Sequence, residues 1–134
     1  MAENCVTVEI ITPERVLLRE QAESLIVPAS GGYMGVLPGH APLVTKLGIG
    51  VAGMKQGGKD LKVAISGGFM EVSNNRAVLL ADVAEKAEEI DTARAERALA
   101  RAEHRLHDKD AGVDLLRAEL AMRRAIARMQ ATRK

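Results

Sequence analysis

The stretch Ala77-Val78-Leu79-Leu80-Ala81-Asp82-Val83-Ala84-Glu85-Lys86-Ala87-Glu88-Glu89-Ile90-Asp91-Thr92-Ala93-Arg94-Ala95 changes its grammar part-way, and that change divides the chain. Up to Ala81 it reads as a strand of apolar, partly β-branched residues. Beyond Ala84 the strong helix formers Ala, Arg and Glu take over, and the sequence reaches Lys134 with no proline and a single glycine, Gly112. Asp91 can cap a first helix by accepting a bond from a free N–H one turn in, after which Ala95, Leu99, Ala102 and Leu106 recur at helical spacing. Gly112 marks a break. A second helix from about Val113 presents Leu115, Ala118, Met122, Ala125 and Met129 as a stripe. Steps of three and four suit a mutually packed antiparallel hairpin.

Upstream, from Cys5 to Val83, the pattern has period two. Val6, Val8 and Ile10 alternate with Thr7 and Glu9 as a half-buried strand. Further strands are expected at Ser24–Val27, Leu43–Thr45, Ile49–Val51, Leu61–Ile65, Phe69–Val72 and Ala77–Ala81. Between them stand turn signals at Thr12-Pro13, Ser30-Gly31-Gly32, Leu37-Pro38-Gly39, Gly57-Gly58, Ser66-Gly67-Gly68 and Asn74-Asn75. Many short strands at this spacing argue for an antiparallel sandwich or barrel. The expected architecture is an N-terminal antiparallel β-sandwich over residues 1–85 and a C-terminal two-helix antiparallel hairpin over residues 86–134.

Composition narrows the function classes. The chain has 134 residues, 28% charged and 47% hydrophobic, which describes a folded soluble protein. A net charge of +1 supplies no global field toward nucleic acid or an anionic membrane. Tyr33 and Phe69 are the only aromatics, too few for a base-stacking platform. Lone Cys5 offers neither an internal disulfide nor metal-ligand spacing, and a reducing compartment is expected. No run approaches the ~18 apolar residues of a membrane span, and Met1 to Thr7 lacks the blocks of a secretory signal.

Three motifs fail as chemistry. Gly53-Met54-Lys55-Gln56-Gly57-Gly58-Lys59-Asp60 comes within one residue of a phosphate loop, but Asp60 replaces the magnesium-holding hydroxyl and would repel phosphate. Strand-like segments flank it, so it reads as a hairpin turn. His40, His104 and His107 lack the further ligands a zinc site needs. Ser66 lacks a nucleophile-elbow pattern, and no catalysis is expected. The basic helix is the charge feature that stands out: from Leu115 to Lys134 there are six basic residues against one acid, Glu119. Arg124 and Arg128, four apart, can converge on one phosphate or carboxylate; they can equally be a solvated face complementing the helix C-terminus. The Ala-rich hairpin is also open to two readings, an arm that docks and undocks or a permanently packed appendage.

Taken together, Gly35-Val36-Leu37-Pro38-Gly39-His40-Ala41-Pro42-Leu43, Ala64-Ile65-Ser66-Gly67-Gly68-Phe69-Met70-Glu71-Val72 and Ala81-Asp82-Val83-Ala84-Glu85, in this order and ahead of a two-helix tail, resemble the epsilon-subunit family of F-type ATP synthases. The resemblance implies a non-catalytic central-stalk subunit beside the gamma subunit and the ring of c subunits, peripheral on the cytoplasmic face of the cell membrane. It also implies a tail that either folds against the sandwich or extends toward the alpha/beta catalytic head, where it impedes ATP hydrolysis. Ile90-Asp91-Thr92-Ala93-Arg94-Ala95 matches the family's ATP-binding pattern Ile/Leu-Asp-x-x-Arg-Ala. By that similarity Glu85, Asp91, Arg94 and Ala95 would surround the adenine and ribose end of a regulatory ATP, and Arg101, Arg124 and Arg128 the phosphates. No cofactor is required. One departure is Tyr33, where the family often carries an acid facing the c-ring loops; Gly31, Gly32 and Tyr33, with His40, are the candidate partner face. The alternative is a purely structural connector of gamma to the c-ring whose tail ignores nucleotide.

Overall fold

The computed structural model describes residues 4–108 and 114–133; the expected break at Gly112 and helix start at Val113 lie outside them. Seven strands form one sheet: β1 (Val6–Ile11), β2 (Val16–Ala22), β3 (Ser24–Ala29), β4 (Gly32–Val36), β5 (Leu43–Gln56), β6 (Lys59–Ser73) and β7 (Arg76–Lys86), in spatial order β2-β1-β7-β6-β5-β3-β4. A single buried cluster draws on every strand, from Val8 and Ile10 through Leu17, Leu25, Val36 and Met54 to Ile65, Met70 and Leu79. The row must therefore fold over on itself, with the long strands β5, β6 and β7 contributing to both layers, as a sandwich requires.

The strand pairs are antiparallel except β1 with β7, which run parallel from Thr7↔Arg76 to Ile11↔Leu80. The expected pairs of short strands at 43–51 and 61–72 are each one long strand. Ser66-Gly67-Gly68, expected as a turn, is an irregularity inside β6: Gly67 and Gly68 have φ of +78° and +120°. A Cβ on Gly68 would collide with the Leu80 carbonyl oxygen of the neighbouring strand, so only glycine lets β6 bend this close to β7. The other expected turns at Ser30-Gly31, Pro38-Gly39, Gly57-Gly58 and Asn74-Asn75 are present, and Gly57-Gly58 and Asn74-Asn75 have positive φ at each residue, as tight two-residue hairpins demand. The near-phosphate loop thus folds as the β5–β6 hairpin. Strands β2 and β4 escaped the pattern because Arg19-Glu20-Gln21 and two glycines interrupt their apolar alternation.

Glu9, expected on the solvent side of β1, is only 6% exposed. Arg76 at 2.6 Å and Arg19 at 3.2 Å, from the strands on either side, neutralise its two oxygens. A buried carboxylate is tolerable only when paired in this way.

After β7 a single 3-10 turn, Ala87–Glu89, leads to α1 (Thr92–His107), which is followed by α2 (Leu115–Ala131). Asp91 and Asp114 cap them, accepting from the Arg94 and Arg117 N–H at 3.1 and 3.0 Å. The expected α1 stripe is present, with Ala95 and Ala102 buried. In α2 the stripe differs: Leu115 is exposed, and Ala127 and Ala131 join Ala118 and Ala125 in burial. α2 has two jobs, which explains the second set. Ala118 and Ala125 recur at the seven-residue spacing of a seam with α1, while Ala131 packs with Ile90 and Val51 on Ala64 of the outer sheet face. Lys62 Nζ donates to the Arg133 carbonyl at 2.9 Å, capping the negative end of that helix.

The junction is tied to the sandwich by one ion pair. Arg15, in the β1–β2 loop, reaches Glu89 at 2.8 Å. The other Glu89 oxygen accepts from the Lys86 N–H at 3.1 Å. The Arg15 hydrogen bond, and after it the Lys86 N–H, hold the Glu89 carboxyl below its ordinary range. A carboxyl that releases its proton more easily in the folded chain favours folding above its unfolded pKa, and this contribution is lost as pH falls through the folded titration.

Two outcomes follow for the isolated chain. Gly68→Ala should lower stability to urea by about 3 kcal/mol, combining strained backbone with a collision against Leu80; a loss below ~1 kcal/mol would mean that β6 bends without glycine. In Arg15→Ala, an NMR titration should find the Glu89 carboxyl returned toward its ordinary value. An unmoved titration would mean the pair does not form in solution.

Candidate functional site

Where the sandwich meets the hairpin, the outward alternation of β7 presents Val83 and Glu85, and the next turn presents Glu89 and Ile90. Opposite them, α1 turns Arg94, Ala98 and Arg101 to the same side, with Asp91 and Ala95 at its first turn, and α2 supplies Arg128. These residues line a cavity of about 460 Å³, within the range of roughly 300 to 1,000 Å³ usual for small-molecule pockets. Six of the seven residues selected from the sequence are among them: Glu85, Asp91, Arg94, Ala95, Arg101 and Arg128. The seventh, Arg124, lies one turn along α2 in an adjoining shallow recess that shares Glu85 and Arg128.

Three guanidinium groups face three carboxylates here, and each carboxylate is engaged. Glu85 accepts from Arg128 Nε at 2.6 Å, with both side chains about one-third exposed. Glu89 is held by Arg15, and Asp91 by the Arg94 backbone N–H. Among the described residues, the side chains of Arg94 and Arg101 form no ion pair. The cavity therefore keeps two uncommitted cations, a surface able to receive an anion. The Glu85–Arg128 contact is a departure from the resemblance, which sets these two residues at opposite ends of a nucleotide. Glu89 was not selected from sequence, and Ile90, though part of the matched pattern, was given no role. Their contribution depends on the 3-10 turn, which no periodicity announces.

The candidate partner residues fall on two turns. Gly31 and Gly32 open β4, with free space where a side chain would be, while His40 lies in the loop beyond the other end of that strand. The His40 N–H donates to the Leu37 carbonyl at 3.1 Å, and Gly39 N–H to Asn75 Oδ1 at 2.9 Å. Asn75 in turn donates to the Cys5 carbonyl at 2.7 Å, so one side chain joins the loop, the β6–β7 turn and the entry to β1. Tyr33 is exposed, but its hydroxyl accepts from the Val51 N–H at 3.0 Å and its ring covers Gly50.

A further surface became visible only through the strand register. Val16, Ile11, Leu80 and Phe69 stand directly opposite one another across β2, β1, β7 and β6. Val16, Leu80 and Phe69 are 56%, 54% and 55% exposed; on β5 the row meets Lys46, opposite Phe69, with exposed Val44 two positions along the strand. Four adjacent strands thus carry one apolar band on an outer face, at the opposite end of the long strands from the hairpin. Such a band marks an interaction surface.

Comparison with known proteins agrees with this architecture over its whole length. Residues 5–87 match the β-sandwich domain of the ATP synthase delta/epsilon chain, and residues 88–133 its long α-helix domain. The ATP synthase epsilon chain of Desulforamulus reducens is 50% identical over 123 residues, covering 92% of this chain and 93% of that one. That of Symbiobacterium thermophilum is 53% identical, covering 91% and 88%. Among solved structures, a chain of the Euglena gracilis mitochondrial ATP synthase, in an OSCP/F1/c-ring assembly, superposes with a TM-score of 0.83 at 26% identity, covering 97% of this chain and 82% of that one. A Tetrahymena thermophila ATP synthase central stalk/c-ring chain shares the fold, with a TM-score of 0.63 at 13% identity, covering 95% and 96%. With both domains matched in order and relatives at half identity over nearly the full length, the chain belongs to the ATP synthase epsilon chain family.

Proposed function

We propose that this chain is a non-catalytic central-stalk subunit of an F-type ATP synthase, joining gamma to the c-ring on the cytoplasmic face of the membrane and restraining ATP hydrolysis through its helical arm. Nucleotide acts on the arm as a regulatory ligand. The observation that carries the nucleotide reading is the convergence of Glu85, Asp91, Arg94, Ala95, Arg101 and Arg128, chosen from sequence, on one cavity between sandwich and hairpin. A ligand held there touches both parts of the chain. It favours the docked arm because that cavity exists only when the arm is docked.

The arm is suited to release. Its apolar contact with the sheet is made of Ala64, Ala131, Val51 and Ile90, and a buried methyl or methylene contributes only ~0.8 kcal/mol. The polar ties are few: Arg128 to Glu85, Lys62 to the Arg133 carbonyl and Arg15 to Glu89. Released, α2 would offer its basic face to acidic loops of the catalytic head. On binding, phosphate oxygens take over the Arg128 guanidinium from Glu85, assisted by Arg124 and Arg101, and the Glu85 carboxylate turns to hydroxyl or amino groups of the nucleoside. The apolar row of Val16, Leu80 and Phe69 supplies the sandwich's attachment to the stalk.

Calorimetric titration of the full chain with ATP should give saturable binding, weakened about tenfold by Arg124→Ala or Arg128→Ala, the loss expected of a charge-assisted hydrogen bond. No heat at millimolar ATP would leave a connector whose tail answers only to protein. Separately, Phe69→Asp or Leu80→Asp should abolish co-purification with the stalk and ring subunits while the chain stays folded. Undiminished co-purification would exclude the apolar row as the attachment surface.

A further inference from the structure

Arg15 lies outside the cavity, in a loop of the sandwich, yet its partner forms part of the cavity wall. The loop is rigid: the Thr12 N–H donates to the Arg15 carbonyl at 2.9 Å and the Arg15 N–H to the Thr12 carbonyl at 3.3 Å, and Thr12 is buried. From this fixed base Arg15 reaches across 74 positions of sequence to Glu89. With its second oxygen Glu89 accepts from Lys86, and the Ile90 N–H donates to the Ala87 carbonyl at 3.2 Å. One carboxylate therefore joins the sandwich to the turn that sets the direction of Ile90 and Asp91. Ile90 is the plug between sheet and α2, and Asp91 is the cap that orients Arg94.

We propose that Arg15 is a positioning residue for the cavity: by holding Glu89 it fixes the wall from Glu89 to Arg94 and with it the docked arm. It acts through geometry and not by attracting the ligand. The identity of the ligand rests on the nucleotide reading above, whereas the latch itself does not.

The pair is exposed, and exposed pairs are weak, so the effects are moderate: about two- to fivefold, as such pairs imply. In the full chain without nucleotide, Arg15→Ala should speed hydrogen exchange of the Ile90, Asp91 and Arg94 amides by that factor and leave β5 and β6 unchanged. ATP affinity should fall equally. Glu89→Ala separates positioning from attraction, because removing a negative charge beside an anion site would tighten ATP binding by Coulomb's law, whereas loss of the wall weakens it. Arg15→Lys, which keeps a cation within reach of Glu89 and leaves the Glu89 carboxylate to accept from the Lys86 N–H, should retain most of both readouts. Unchanged exchange in Arg15→Ala, tighter ATP binding in Glu89→Ala, or a loss in Arg15→Lys as large as in Arg15→Ala would each overturn the proposal. If the unaltered chain binds no ATP, the nucleotide reading fails, and the exchange rates of Arg15→Ala against Arg15→Lys still decide the latch.

Discussion

The close approach of Gly68 to the Leu80 carbonyl is the constraint on which the rest of the molecule depends. Seven strands in one row can share a core only if the longest of them bend, and β6 bends where Gly67 and Gly68 take backbone conformations closed to other residues. On one side of that bend the outer face of β5, β6 and β7 receives the hairpin through Val51, Ala64 and Glu85. On the other it carries Val44, Phe69 and Leu80 toward solvent. The same three strands thus carry an internal contact at one end and an exposed apolar band at the other.

The two ends differ in the size of the residues they present. Leu, Phe and Val side chains at one end present a large apolar area, while the alanine contacts under α2 present little. Small residues let the helix lie close to the sheet without binding it tightly. Polar ties then set the balance, and they join the elements around the cavity: β7 to α2 through Glu85 and Arg128, and the β1–β2 loop to the 3-10 turn through Arg15 and Glu89. A ligand in that cavity acts where small energies decide.

Local patterns were legible in the sequence and long-range ones were not. The helix boundary at Asp91 could be read because capping is a matter of neighbouring residues, and Gly57-Gly58 and Asn74-Asn75 because tight turns need particular backbones. The same reasoning misjudged Gly67-Gly68, since glycine signals an unusual backbone without saying whether the chain turns or merely bends. Strands β2 and β4 were hidden by Arg19, Glu20 and their glycines. The arginines and acids of the cavity were picked out by resemblance. Their contacts, above all Glu85 with Arg128 and Glu89 with Arg15, depend on segments far apart in sequence. Leu115 was placed inward because a stripe at regular spacing cannot tell which of its positions neighbouring elements cover.

The parallel pairing of β1 with β7 has a consequence for how the chain is made. β1 leaves the ribosome first, but its inner neighbour in the sheet is the last strand to appear, some seventy positions later. Until β7 emerges, Val8 and Ile10 have only the β2 hairpin beside them, and a two-stranded ribbon is marginal in water. The sandwich can therefore close only after β7 has emerged. Docking of the arm on the closed sandwich thus waits on a strand pairing of long sequence separation, the kind that is slow to form.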